Sequence, residues 1–259
     1  MKALAWRLRL LLAALGIQPL VTLRALVALP AYLRDWRRFA RTSDRPMAAY
    51  PCLTDRSAGA SSLGEYFWQD LFVARRILDA NPRRHVDVGS RIDGFIAHLA
   101  CVREVEVYDI RPLDAQIPNV RFRQWDLTDG GPAAPADQAD SVSCLHTLEH
   151  VGLGRYGDRL DVDGWRIALG RLAGLVAPRG RLWLSVPVGR RRVEFNAHRV
   201  FDPREILSLA AELGLASTAL HVLDGPTLPR LVEGGEAIAG VAALEYAVGI
   251  FCFVRPHAA

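Results

Sequence analysis

Two short strings hold residue types whose spacing can do chemistry. In HVDVGSRIDG (85–94), an apolar run passes through Asp87, turns on Gly89 and reaches Gly94, where an apolar helical stretch starts at Phe95. Strand, glycine turn and helix in that order open a nucleotide-binding α/β domain. The string VEVYD ends in Asp109, twenty residues after Gly89, where a carboxylate can accept hydrogen bonds from both hydroxyls of a ribose. The other string, HTLEH, brings His146, Glu149 and His150 together. On a helix that spacing puts both imidazoles on one face, where they can hold a divalent metal.

Charge narrows the nucleotide. A dinucleotide fingerprint needs G-x-G-x-x-G so that backbone N–H groups approach a pyrophosphate, but Ser-Arg-Ile-Asp separates Gly89 from Gly94, and no G-K-[ST] follows. Asp87 and Asp93 bracket the turn; carboxylates repel a pyrophosphate and attract a sulfonium and an α-ammonium. The turn therefore favours S-adenosylmethionine, with Asp87, Gly89, Arg91, Asp93, Gly94 and Asp109 around it.

The succession acid-x-Gly-x-x-x-x-Gly, an acid ending the second strand, Gln-Trp-Asp (124–126) and Leu-Glu-His-Val (148–151) resembles the class I S-adenosylmethionine-dependent methyltransferases. The strings YPCLTDR, YFWQDL, HVDVGSRIDGFIAHLA, YDIRPL, SCLHTLEHVGLGRYGD and VEFNAHRVF, between Tyr50 and Pro203, are similar to a methyltransferase-like domain-of-unknown-function family, the one numbered two-six-eight. Arg91 stands where the first motif of the methyltransferases usually has its middle glycine. The resemblance implies that Asp126, with Leu127 beside it, takes the adenine amino group. As a bare sequence feature, Asp126 equally reads as the cap of a Leu-Thr-Asp-Gly turn. It also implies that a helix ahead of the first strand closes the pocket, with Tyr66, Trp68, Gln69 and Asp70 as candidate lining. Some such enzymes bind a divalent metal through a Glu-x-x-Glu-His pattern and a later His; here the candidates are His146, Glu149, His150 and His198.

His198 follows the fifth strand, on the lip where an acceptor approaches the methyl group. A neutral imidazole there can take a hydroxyl proton, so His198 is the first candidate base, His150 the second, with Glu149 beside them. Arg155, Tyr156, Asp158 and Arg199 are candidates to hold an anionic or polyhydroxylated acceptor, although Gly-Arg-Tyr-Gly-Asp also reads as a plain turn. The resulting expectation is O-methylation of a small-molecule or glycan-linked acceptor. Two other readings remain: a non-catalytic methyltransferase-like binding protein and a metal-dependent hydrolase.

These groups need a scaffold, and the remaining pattern supplies one. Apolar strands at 105–109, 120–125, 141–146 and 181–187, with a helix over 165–176 before the last, predict a Rossmann-like, doubly wound, mainly parallel α/β sheet. A helix over 66–80 precedes it, with Phe67, Leu71, Ala74 and Leu78 as its buried stripe. Asp202, Pro203 and Glu205 form a capping box for a helix to about Leu213. STALHVL and YAVGIFCFV predict an antiparallel edge pair, and 224–243 carries no assignable pattern.

Of 259 residues 51% are hydrophobic, enough for one large domain and an appendage: a basic amphipathic helical arm (1–42), a linker or lid (43–64) and the α/β domain (65–259). Net charge is +4, yet residues 1–42 hold eight basic side chains against Asp35, so the rest of the chain is negative and nucleic acid is not an expected partner. The uncharged run from Leu10 to Thr22 is thirteen residues, short of the ~20 needed to span a bilayer. The arm can instead lie on an anionic membrane surface or pack on its own domain. Four cysteines without C-x-x-C spacing suit a reducing cytosol, and no small-residue cleavage site follows the first apolar run. The expected location is the cytoplasm, at the inner face of the membrane if the arm binds it; nothing in the sequence sets the oligomeric state.

Overall fold

The computed structural model describes residues 2–43, 45–53, 63–128 and 138–257; residues 44 and 54–62 of the expected linker or lid lie outside them. The chain divides into two compact units, Met1–Ser62 and Leu63–Ala259. The first contains α1 (Lys2–Ala14) and α2 (Pro19–Ala40), bent 66° from one another across the Gly16 break, and no residue of α2 is buried. Among the described residues, no single helix is long and apolar enough to cross a membrane.

The second unit opens with α3 (Glu65–Ala80) and β1 (His85–Val88), followed by a π-helical turn (Ile92–Ile96) that runs into α4 (Ala97–Ala100). Next come β2 (Val105–Asp109), β3 (Val120–Gln124), β4 (Ala139–Leu145), a 3₁₀ turn (Leu148–His150), α5 (Gly164–Leu175) and β5 (Val176–Val188). The rest is β6 (Arg192–Glu194), β7 (His198–Val200), α6 (Pro203–Glu212), β8 (Ala216–Leu223), β9 (Arg230–Val232), α7 (Gly235–Ala243) and β10 (Ala247–Val254).

The main sheet runs β3-β2-β1-β4-β5-β10-β8-β9, and β1 to β5 are mutually parallel. The order reverses between β1 and β4, which opens a crevice at the strands' carboxyl ends. The expected edge pair is corrected: β10 lies inside the sheet, antiparallel to both β5 and β8, and β9 adds an outer strand. Alternation along the strands feeds two cores. Leu182, Leu184, Phe251 and Phe253 join α5 and α6 on one face, while Trp183, Ile250 and Cys252 join α3 and α4 on the other. In α3, Val73 and Ile77 are buried, whereas Phe67 and Leu71 of the expected stripe are exposed. At α6 the capping box is present as read, with Asp202 and Glu205 each satisfying an orphan N–H of the first turn.

Candidate functional site

A cavity of about 290 Å³ sits at the carboxyl ends of β1, β2 and β4. Its floor is the glycine turn. Gly89 has φ +76°, its N–H donates to the Tyr108 carbonyl at 2.8 Å, and a Cβ there would lie 2.5 Å from the Thr147 methyl. Only glycine lets β1 pass that close to the loop after β4. Gly89 and Arg91 line the cavity; Asp87, Asp93 and Gly94 do not.

Those three have other work. Asp87 is fully buried and accepts from Ser90 N (3.0 Å), Ser90 Oγ (2.6 Å) and Ser143 Oγ (2.5 Å). Burial pushes its carboxyl up to about 7 against the pull of those donors. It braces the turn from behind and is not a full charge facing a ligand, which corrects its expected role. Asp93 is exposed and paired with Arg91 at 2.8 Å, outside the cavity. A Cβ on Gly94 would lie 2.6 Å from Asp70 Oδ2, so this glycine seats a carboxylate of α3.

Three of the four α3 candidates, Tyr66, Gln69 and Asp70, line the cavity; Trp68 packs on the core instead. Gln69 Nε2 donates to Asp70 Oδ1 at 3.1 Å, and Gln69 Oε1 is buried without a partner. On the opposite wall Asp109 lines the cavity as read, but its carboxylate is already engaged. Arg111 donates to it from the backbone N (2.8 Å), Nε (3.0 Å) and Nη2 (2.7 Å). Asp126 and Leu127 also line the cavity, and the cap reading of Asp126 is met, since its Oδ1 accepts from Thr128 N and Oγ1 at 2.7 Å.

The loop after β4 supplies the remaining wall: His146, Thr147, His150, Arg155, Tyr156 and Asp158. His146 has φ +52°, and its Nδ1 lies 2.7 Å from Glu149 Oε1. The carboxylate pulls the imidazole's pKa upward against full burial, with a net rise. Glu149 is 1% exposed, and its Oε2 is buried and unpartnered, as is His146 Nε2. His150 Nδ1 donates to the Ala197 carbonyl at 2.6 Å, and burial lowers its pKa. The guanidinium carbons of Arg111 and Arg155 lie over the Tyr156 ring, 4.7 and 5.1 Å from its centre. Asp158 lines the cavity while accepting from the N–H groups of Gly152, Gly154 and Tyr156.

Three expectations are corrected here. His198 does not line the cavity; it sits on the β6–β7 hairpin, 3.6 Å from Glu194. Arg199 is buried and donates to the carbonyls of Val151 (2.5 Å), Asp161 (3.2 Å) and Val162 (3.4 Å), so it clamps the loop and is not placed to hold an acceptor. The metal reading of His146, Glu149, His150 and His198 loses its geometry. His146 lies in a turn and Leu148–His150 is a single 3₁₀ turn, so no helix face presents both imidazoles. Among the described residues, no group of three or more His, Cys, Asp or Glu side chains is arranged to hold a metal ion. Ser90, Ile110, Arg111, Trp125 and Thr147 line the cavity without having been singled out from the sequence.

The model of the family described as Caenorhabditis protein of unknown function, DUF268, matches residues 133–213. No curated protein matches the sequence. Among solved structures, the chain is similar to the N-methyltransferase NodS from Bradyrhizobium japonicum WM9 in complex with S-adenosyl-L-homocysteine (12% identity, TM-score 0.50, covering 75% of this chain and 89% of that one). It is also similar to a putative sarcosine dimethylglycine methyltransferase from Galdieria sulphuraria (12%, 0.51, 74% and 85%) and to the [4+2]-cyclase SpnF (14%, 0.51, 83% and 86%). The fold is that of a class I methyltransferase. The resemblance to the family numbered two-six-eight is thus borne out over residues 133–203 of the stretch read, and the methyltransferase resemblance by the fold. At these identities the likeness extends to fold alone, and the cyclase among the similar structures makes the chemistry a matter for the site.

Proposed function

We propose that the chain is an S-adenosylmethionine-dependent methyltransferase acting at oxygen on a small or glycan-linked hydroxylated acceptor, at an anionic membrane surface. One observation carries the reading: Asp109 at the end of β2 and Asp126 after β3 face one cavity whose floor is the Gly89 turn. The donor set fits the methyl donor. Four carboxylates (Asp70, Asp109, Asp126, Asp158) line the cavity against three guanidiniums, and Asp93 already neutralises Arg91. The unpartnered Gln69 Oε1 awaits an N–H or O–H donor. When bound, the donor supplies an activated methyl group on sulfonium sulfur.

The residues present bind and orient. Asp109 takes the ribose hydroxyls once Arg111 yields or shares it, Asp126 takes the adenine amino group, and Gln69 with Asp70 takes the ammonium. Arg155 and Tyr156 border the acceptor's approach. Alignment of oxygen, carbon and sulfur contributes most to such a transfer. The membrane part rests on the Met1–Ser62 unit, where Leu20, Leu23, Leu26, Val27 and Phe39 of α2 are exposed beside Arg24, Arg34, Arg37 and Arg38.

Incubation with methyl-labelled S-adenosylmethionine and fractionated cell extract tests the reaction. Label is expected in a small-molecule or glycan-linked fraction. A second reading, a non-catalytic binding protein, draws on the Asp109–Arg111 pair that already occupies the ribose acid. Donor binding with no labelled product in any fraction would favour it.

A further inference from the structure

Two buried polar atoms in the loop after β4 have no partner, and they belong to one hydrogen-bonded pair. His146 Nδ1 faces Glu149 Oε1 at 2.7 Å. A carboxylate only accepts, so the proton of the neutral imidazole sits on Nδ1 and the lone pair on Nε2. That Nε2 is buried and unpartnered on a residue that lines the cavity, and Glu149 Oε2 is buried and unpartnered too. Tyr66 covers the ring, its centroid 4.8 Å away. Buried acceptors left open in this way call for a ligand that brings a donor.

The other two histidines differ in these respects. His198 is off the cavity. The Nε2 of His150 lies 3.7 Å from Glu149 Oε1, and Arg155 beside it disfavours a second positive charge. Of the three, only His146 combines a place in the cavity lining, a buried Nε2 without a partner and a carboxylate on its other nitrogen.

We propose that His146 is the base that receives the acceptor's proton, that Glu149 is its positioning residue, and that the acceptor enters as an un-ionised hydroxyl. The assignment rests on the methyltransferase reading and replaces His198 as base. As the acceptor oxygen bonds to the methyl carbon, the carbon–sulfur bond breaks and its electron pair stays on sulfur as a neutral thioether. The hydroxyl proton passes to His146 Nε2, and the imidazolium so formed is held against the Glu149 carboxylate.

The test needs no knowledge of the acceptor. Sinefungin carries an amine where the methyl donor carries its methyl group, whereas S-adenosylhomocysteine carries nothing there. A base facing the methyl position bonds that amine, so the wild-type chain binds sinefungin about tenfold or more tighter than S-adenosylhomocysteine, the size of one charge-assisted hydrogen bond. In His146→Ala and His146→Gln the ratio falls to within about twofold while S-adenosylhomocysteine affinity is unchanged; Glu149→Gln lowers the ratio part-way. A purely structural role for the pair would weaken both ligands together and leave the ratio intact. Should the variants fail to fold, a sinefungin complex of the wild-type chain decides, since the amine must lie within hydrogen-bonding distance of His146 Nε2. Equal affinities in the wild-type chain, or an amine bonded elsewhere, overturn the assignment of the base alone. Absence of binding by both ligands overturns the methyltransferase reading itself.

Discussion

His85 and Asp87 leave water together on β1 and pull stability in opposite directions with pH. Burial holds His85 near 3 in the fold, with Arg103 adding to the shift, so its contribution is present above its unfolded value of 6.5 and is lost as pH falls toward 3. Asp87, held near 7, prefers its proton; its contribution is present below the unfolded value of 3.8 and is lost as pH rises through 7. Between about 4 and 6.5 the two slopes oppose, so unfolding free energy should be nearly flat there. Asp87→Asn should expose the histidine slope, with stability rising with pH over that window in urea titrations. At the ribose acid, Asp109→Ala should weaken S-adenosylmethionine binding by roughly 2 to 4 kcal/mol, the loss of two charge-assisted hydrogen bonds. Gly94→Ala should weaken it too, because the added Cβ displaces Asp70. Asp109 was legible from its spacing to Gly89. Its pairing with Arg111 was not, because an ion pair across two residues depends on a rotamer that no pattern encodes.

At the scale of elements, the parallel half of the sheet was readable because β1, β4 and β5 are apolar-rich and β2 and β3 alternate apolar with polar residues, between turn signals. The short β6–β7 hairpin, β9 and α7 were not. Three-residue strands carry no period, and the glycines within and ahead of α7 mask the helix that its alanines favour. The H-x-x-E-H spacing misled for a related reason: a helical face was assumed where His146 takes a positive φ and a single 3₁₀ turn follows. That choice decides which histidine nitrogen is left open. The loop carrying it is held from β7 by Arg199, whose guanidinium donates to the carbonyls of Glu149, Val151, Asp161 and Val162. Arg199→Ala should leave those carbonyls unpaired and cost about 2 to 4 kcal/mol of stability, read as a lower midpoint in thermal unfolding. S-adenosylhomocysteine affinity should fall far less than in Asp109→Ala, because Arg199 clamps the loop without lining the cavity.

For the whole molecule, charge is divided along the chain. The excess of basic residues over 1–42 leaves the α/β unit negative, which suits a cationic methyl donor in one unit and anionic lipid headgroups at the other. Full-length protein should sediment with vesicles rich in phosphatidylserine or phosphatidylglycerol and not with phosphatidylcholine alone. Binding should weaken with salt, and Arg37→Glu with Arg38→Glu should abolish it, each basic residue being worth ~1 kcal/mol near such a surface. Sedimentation with neither vesicle would remove the membrane from the proposal without touching the cavity. The cavity itself is tested most directly by calorimetry of S-adenosylhomocysteine against the full-length chain and its Asp109→Ala variant. One site per chain, weakened at least about thirtyfold in the variant as the loss of roughly 2 kcal/mol requires, is the expected result. A folded chain that takes up no heat from the ligand, or a variant that binds as tightly as wild type, would contradict it.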